Sequence, residues 1–290
     1  MRKVAIVTDT NSGIFPVQAA KFGIFTVPMP ITIDGTDYEE GVNIQAEEFY
    51  RLQEEGADIT TAQPSPATMT NLWDTVLQEY DELVFIPMTS GLSGTCATAQ
   101  MLSEDYHGRV EVADNCAISA TLKMAALDAK RLADCGKSAR EIREALEAHA
   151  DNARIFITVN TLKYLKKGGR VTPAAAAIGD VLNIRPVMQI MRGKLDAFAK
   201  VRGRKHSKDT ILQAIRDDMN NRFSGFLAEG RLRLHIAHAG IWDEAIQWKD
   251  EMEAFFPGFT VEVHELPLSI GTHTGRGALG AGITVDINPD

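Results

Sequence analysis

The sequence predicts an α/β protein of two domains. Three observations predict it. Short apolar runs alternate with segments of helical spacing through the first half, the order of elements changes after Arg154, and 290 residues suffice for about two domains of roughly 150 residues each. The first half reads as a parallel sheet flanked by helices and the second as a smaller α/β domain. A soft boundary near Asp151-Asn152 gives domains 1–152 and 153–290.

The first element is Val4-Ala5-Ile6-Val7, a buried strand ending in the polar turn Thr8 to Gly13. An extended stretch from Phe25 to Ile33 follows, and the prolines at 16, 28 and 30 make it an edge or irregular strand. Ser65-Pro66 supplies an N-cap and a proline at the first helical position, with Met69, Leu72, Trp73, Val76 and Leu77 at helical spacing. Leu83 to Ile86 and Val110 to Ala113 are the next strands, and Ser138 with Glu141 forms a capping box. Beyond Arg154, the run 155–159 is a strand and Leu162 to Lys167 a short helix ended by Gly168-Gly169. Val187 to Met191 and Leu195 to Val201 form a hairpin about Arg192-Gly193. A helix at 211–219, a strand at 232–237, a helix at 244–255 and a strand at 260–266 complete the set, and Ala174 to Ala177 is a tightly packed helix.

Thirty basic against thirty-nine acidic side chains leave a net charge of -9, a field that repels phosphate backbones and anionic lipid surfaces. Nucleic-acid binding and stable membrane insertion are therefore not expected. Three cysteines without a C-x-x-C pair fit a reducing cytosol, and the N-terminal apolar run is too short for a signal peptide, so a cytoplasmic location is expected.

The loop Ser90 to Thr95 follows a buried strand and holds small residues that let backbone amides approach a ligand. A helix starting there aims N–H groups at an anion, and Ser93 and Thr95 add hydroxyls. An ordinary strand-to-helix turn accounts for it equally well. Gly91-Leu92-Ser93-Gly94-Thr95 is also one residue from a G-x-S-x-G nucleophile elbow, with Thr95 where glycine belongs. The order Ser93, Asp114, His273 matches that of a serine hydrolase or esterase, which is the alternative function. Gly271 to Gly277 is a second glycine-framed polar loop, in which His273 could meet a carboxylate or cap a turn. Its G-x-G-x-x-G letters precede a strand rather than a helix, so dinucleotide binding is not expected. The basic cluster Lys166 to Arg170 reads as a phosphate or partner site, or as lysines at a helix C-terminus. The run Lys200 to Lys208 reads as a docking patch or a solvated face. His235 and His238 face opposite sides of a strand, with no Cys or acidic ligand at metal spacing, so no metal site is expected; with no G-x-x-x-x-G-K-[ST] P-loop either, no cofactor is expected.

Taken together and in order, these pieces resemble the DegV family of bacterial fatty-acid-binding proteins. The likeness runs through Val7 to Thr10, Thr60 to Ser65, Thr89 to Thr95, Asn160 to Arg170, Leu182 to Pro186, Lys200 to Arg202 and Gly271 to Gly275. The resemblance implies a two-domain DegV-like α/β fold that holds one long-chain fatty acid between its domains, in an apolar tunnel. Thr61 and Ser93 match positions whose hydroxyls bind the carboxylate, with backbone N–H groups of Gly94 and Thr95 and with His273 beside the head group. Arg170 and Arg202 match basic positions at the pocket mouth or the partner-docking face. The implied role is a non-catalytic carrier subunit of a fatty acid kinase. In it, a separate ATP-dependent kinase subunit phosphorylates the bound carboxylate, and the acyl phosphate feeds phospholipid synthesis. The sequence departs from the family pattern at Ala62, Asn115 and Arg276, and Ser119 to Lys123 lacks the family's glycines.

Overall fold

The structure, a computed structural model, describes residues 2–40, 42–173 and 184–287. The alanine-rich segment 174–177, and residues 182 and 183 of the Leu182 to Pro186 motif, lie outside the described residues. The chain divides into two compact units, one of Met1–Gln45, Asp58–Asp151 and Ile287–Asp290, the other of Ala46–Ala57 and Asn152–Asp286.

In chain order the first elements are β1 (Val4–Asp9), α1 (Pro16–Phe22), β2 (Phe25–Val27), β3 (Pro30–Ile33), β4 (Thr36–Glu39), α2 (Ala46–Glu55) and β5 (Ile59–Thr61). There follow α3 (Pro66–Val76), β6 (Glu82–Ile86), α4 (Thr95–Ser103), β7 (Val110–Val112), α5 (Ala120–Asp134) and α6 (Ala139–Ala148). Pro16, read in the sequence as part of the approach to a strand, instead opens α1, where its missing N–H costs nothing. The parallel sheet has the order β2-β1-β6-β7. On one face α3 and α4 bury Met69, Trp73, Cys96 and Ala99 against Val7, Phe85 and Val112. Trp73 meets Phe85 with ring centroids 5.7 Å apart, and burying an aromatic of this size stabilises the unit by about 3 kcal/mol.

A small antiparallel sheet, β4-β3-β5, has at its centre the end of the Phe25 to Ile33 stretch, where the prolines predict an edge or irregular strand. Its central strand starts at Pro30, and the first residue of a strand is one of the places where a sheet tolerates proline. The helix caps are as expected. Ser65 accepts from Thr68 N–H at 3.0 Å, and Ser138 and Glu141 form the reciprocal capping box.

The remaining elements are β8 (Ala153–Thr158), α7 (Lys163–Gly168), β9 (Ile184–Met191), β10 (Lys194–Arg202), α8 (Arg204–Asn220) and α9 (Ser224–Ala228). Then come β11 (Leu232–His238), α10 (Trp242–Phe255), β12 (Val261–Glu265), α11 (Leu268–Thr274) and β13 (Leu279–Val285). The second sheet has the order β10-β9-β8-β13-β11-β12, antiparallel except for β11 with β12. Arg192 (φ 50°) and Gly193 (φ 69°) both lie in the left-handed region, as a two-residue hairpin turn requires. One face is filled from α8 and α10, where Ile211, Ile215, Trp248 and Met252 pack on Phe156, Ile236 and Ile283.

The contiguous division into 1–152 and 153–290 is interrupted by α2, which belongs to the second unit. Its Phe49, Tyr50 and Gln53 are buried, and Gln53 donates to the Gly271 carbonyl at 3.2 Å. With α2 included, the second unit matches the first in size. The spacing of α2 announces an apolar face but not what that face will cover.

Candidate functional site

In the first sheet the chain leaves β1 toward β2 on one side and β6 toward β7 on the other. The loops after β1 and β6 therefore diverge, and ligands of open α/β sheets bind at such a switch point, beyond the carboxyl ends of the strands. Polar side chains tie the end of β1 and the turn after it to the segments beside them. Thr8 Oγ1 donates to the Ile86 carbonyl at 2.8 Å, and Thr10 Oγ1 accepts from Met29 N–H at 3.0 Å. Asp9 is fully buried and accepts from Asn11 N–H at 3.0 Å and Met88 N–H at 2.8 Å. Burial pushes the Asp9 carboxyl up to about 6, against the two backbone N–H groups that favour its charge. The motif Val7 to Thr10 is thus a clasp that fixes the start of the Thr89 to Thr95 loop.

That loop carries the predicted hydroxyls. Ser93 Oγ and Thr95 Oγ1 are 2.9 Å apart, and Ser93 Oγ accepts from Thr95 N–H at 3.2 Å. Thr95 is buried and Ser93 half-buried. Gly94 is the N-cap of the nine-residue α4, so Ser93 stands at the positive end of a helix dipole. The Thr95 N–H expected for the ligand is here given to Ser93.

Asp114 Oδ1 accepts from Ser90 N–H and Cys116 N–H, both at 3.3 Å. Its carboxylate braces the turn, and Ser93 pairs with Thr95. These partners are not those a nucleophile and its orienting acid require.

Thr61 ends β5, opposite Ile31, and is half-buried. Two residues on, Gln63 exchanges hydrogen bonds with Thr98 Oγ1 of α4, at 3.1 Å from Nε2 and 3.3 Å to Oε1. A Cβ on Gly94 would lie 2.8 Å from Gln63 Oε1. The bare backbone of Gly94 therefore lets the Thr61 segment close on the Ser93 turn. Gln63 was not among the candidate residues, because only the fold brings residues 63 and 98 together.

In the second unit, His273 sits on α11, so the segment expected as a polar loop is helical up to Thr274. The glycine within it, Gly271, is explained by packing: a Cβ there would lie 2.6 Å from Tyr50 Oη. The motif Asn160 to Arg170 interlocks with this helix and the turn after it. Gly168 backs onto the His273 ring, Tyr164 fills the space beside Gly275, and Asn160 Nδ2 donates to the Arg276 carbonyl at 3.1 Å. Burial, with the Arg170 guanidinium nearby, pushes His273 down to about 4, so it is neutral at pH 7. Lys166 and Lys167 lie in the last turn of α7 and Gly169 caps it at φ 65°, as one of the two readings had it. Arg170 is exposed and donates to the Gly168 carbonyl.

The basic run 200–208 is only partly a surface patch. Arg204 chelates Glu244 (Nε–Oε1 2.7 Å) and donates to the Gly277 carbonyl at 2.9 Å, and Lys208 pairs with Glu251 at 2.9 Å. Arg202 is exposed. Against the expectation of no ligand-bearing cluster, His235, Glu262 and His264 converge on the second sheet, with ligand atoms within 4.8 Å of one another. Among the described residues no helix is long and apolar enough to cross a membrane.

The family described as "Uncharacterised protein, DegV family" matches residues 3–286. A DegV domain-containing protein of Caldanaerobacter subterraneus subsp. tengcongensis is 34% identical over 285 residues, covering 97% of this chain and 98% of the relative. The fold is similar to that of a DegV family protein from Thermus thermophilus described by its fatty acid binding (TM-score 0.86, 30% identity, 98% of this chain and 100% of that one). It is also similar to DegV from Bacillus subtilis, described as a fatty acid binding protein (TM-score 0.85, 25% identity, 98% and 100%). With a match that spans nearly its whole length, this chain belongs to the DegV family.

Proposed function

We propose that this protein binds one long-chain fatty acid and carries it, without catalysis of its own, to an ATP-dependent kinase subunit. The observation that carries the reading is the hydroxyl pair of Ser93 and Thr95 at the N-terminus of α4, on the loop that follows β6 at the switch point. A carboxylate taken out of water needs several donors, and hydroxyls backed by a helix dipole supply them without a permanent charge. If Thr95 Oγ1 donates to Ser93 Oγ, the Ser93 proton is directed to the ligand, with Thr61 as second donor and the Gly94 backbone beside them. The description of the Thermus thermophilus and Bacillus subtilis proteins as fatty-acid binders supports the ligand class. Each buried methylene would contribute about 0.8 kcal/mol, so the tail supplies most of the affinity.

A carboxylate held by hydroxyls stays nucleophilic toward a phosphoryl donor, which supports the carrier role, and exposed Arg202 offers a docking charge. Denaturing mass spectrometry of the purified chain tests the ligand: a co-purifying fatty acid is expected, and its absence together with no binding of added fatty acid would refute the reading. A fluorophosphonate probe is expected to leave Ser93 unlabelled; a covalent adduct there would favour the hydrolase.

A further inference from the structure

We propose that His235, Glu262 and His264 form a binding site for a divalent transition metal, of which zinc is the best fit, at the edge of the second sheet. The sheet register builds the trio. His235 of β11 pairs with Glu262 of β12, and His264 lies two residues further along β12, on the same face. Their ligand atoms already lie within 4.8 Å of one another. His264 Nε2 and Glu262 Oε2 are 3.5 Å apart, close to the ligand–ligand edge of about 3.4 Å that a tetrahedral zinc site with bonds near 2.05 Å requires.

The surroundings are those of a supported ligand. Buried His235 shares a hydrogen bond between Nε2 and Thr284 Oγ1 at 3.0 Å, the kind of outer contact that fixes the ring of a metal-bound histidine and directs Nδ1 to the ion. On its other side, β11 pairs with β13 so that His235 faces Gly282, which adds no side chain to crowd the ring. Glu262 is exposed and β12 is the last strand of the sheet, so an ion enters from solvent and keeps an open position for water. Two imidazoles and one carboxylate suit zinc, cobalt or nickel better than calcium or magnesium. Bound there, the ion would cross-link β12 to β11.

Cobalt titration of the full, tag-free chain, followed by its visible d–d bands, tests the site. One saturable site is expected, displaced by zinc, with zinc raising the melting temperature. His264→Ala and Glu262→Gln should each weaken cobalt binding at least about tenfold, and Thr284→Val should weaken it to a lesser degree. Far-UV circular dichroism establishes that the variants are folded, and Glu262, being exposed, gives a variant that does not depend on core packing. Absence of a saturable site in the unmodified chain, or unchanged affinity in folded Glu262→Gln and His264→Ala, overturns the proposal.

Discussion

The Asp9 carboxylate accepts a hydrogen bond from Met88 N–H at 2.8 Å and so ties the end of β1 to the residue that opens the Thr89 to Thr95 turn. Its other oxygen accepts from Asn11 N–H at 3.0 Å. Asp9 is fully buried, so the position of Ser93 depends on a side chain that solvent does not reach.

Asp9 titrates at about 6 in the folded chain, above its ordinary value of 3.8. Between those values the native state holds a proton that the unfolded state has released. The stabilising contribution of the protonated group is full below pH 3.8 and is lost as pH rises to about 6. Asp9→Asn removes this titration and turns one acceptor into a donor facing an N–H. A loss of about 1–3 kcal/mol at pH 7.5 and weaker fatty-acid binding are expected. Urea unfolding of both proteins from pH 4 to 8 measures the first, and a binding titration the second.

Burial drives His238 and His273 the other way, each to about 4 from 6.5. Both take up a proton on unfolding in this window, so the stability they contribute is present above pH 6.5 and lost as pH falls to about 4. The His238 ring also accepts from Ile241 N–H through Nδ1 at 3.3 Å, a bond that needs the neutral form. His273→Gln should lower the slope of stability against pH by one proton, about 1.4 kcal/mol per pH unit, between pH 5 and 6. An unchanged slope would mean that His273 is protonated in the folded chain.

Gly168 and His273 are packed too closely for any Cβ: one built on Gly168 would lie 2.8 Å from Cε1 of the ring. Gly168→Ala, normally favourable in a helix, should therefore cost about 1–3 kcal/mol. In a double-mutant cycle with His273→Ala that cost should largely vanish. Chemical denaturation of the four proteins gives the coupling.

Ser119 occupies φ 55°, ψ −133°, a region nearly reserved for glycine, and its side chain makes no capping bond to α5. The backbone bears the strain of that conformation. Ser119→Gly should raise stability by about 1 kcal/mol once the added freedom of the unfolded chain is subtracted. The midpoint of urea unfolding is the measurement.

Thr61→Ala with Ser93→Ala should lower fatty-acid affinity about 100-fold, two charge-assisted bonds of about 1.5 kcal/mol each, with little change in melting temperature. Arg202→Glu should leave fatty-acid affinity as it is and slow ATP-dependent acyl phosphate formation by the kinase subunit, trapped with hydroxylamine. Equal loss of both would remove the docking role.

Much of the fold was legible in the chain because its signals act within one turn or one strand. Ser65-Pro66, the Ser138 and Glu141 box and Arg192-Gly193 each dictate a local backbone, and each forms as the spacing requires. The Ser93 turn and the β6 strand before it were likewise readable from small residues after an apolar run. Which segments meet is another matter. That α2 joins the second unit, that Gln63 reaches the start of α4, that Arg204 is taken by Glu244, and that His235 lies beside Glu262 were decided only in three dimensions. Even the reason for a glycine at 271, inside a helix, is the Tyr50 side chain packed against it from a distant segment. The physical reason is that periodicity records which face of an element is apolar, whereas strand register and helix docking are set by packing between residues tens to hundreds of positions apart.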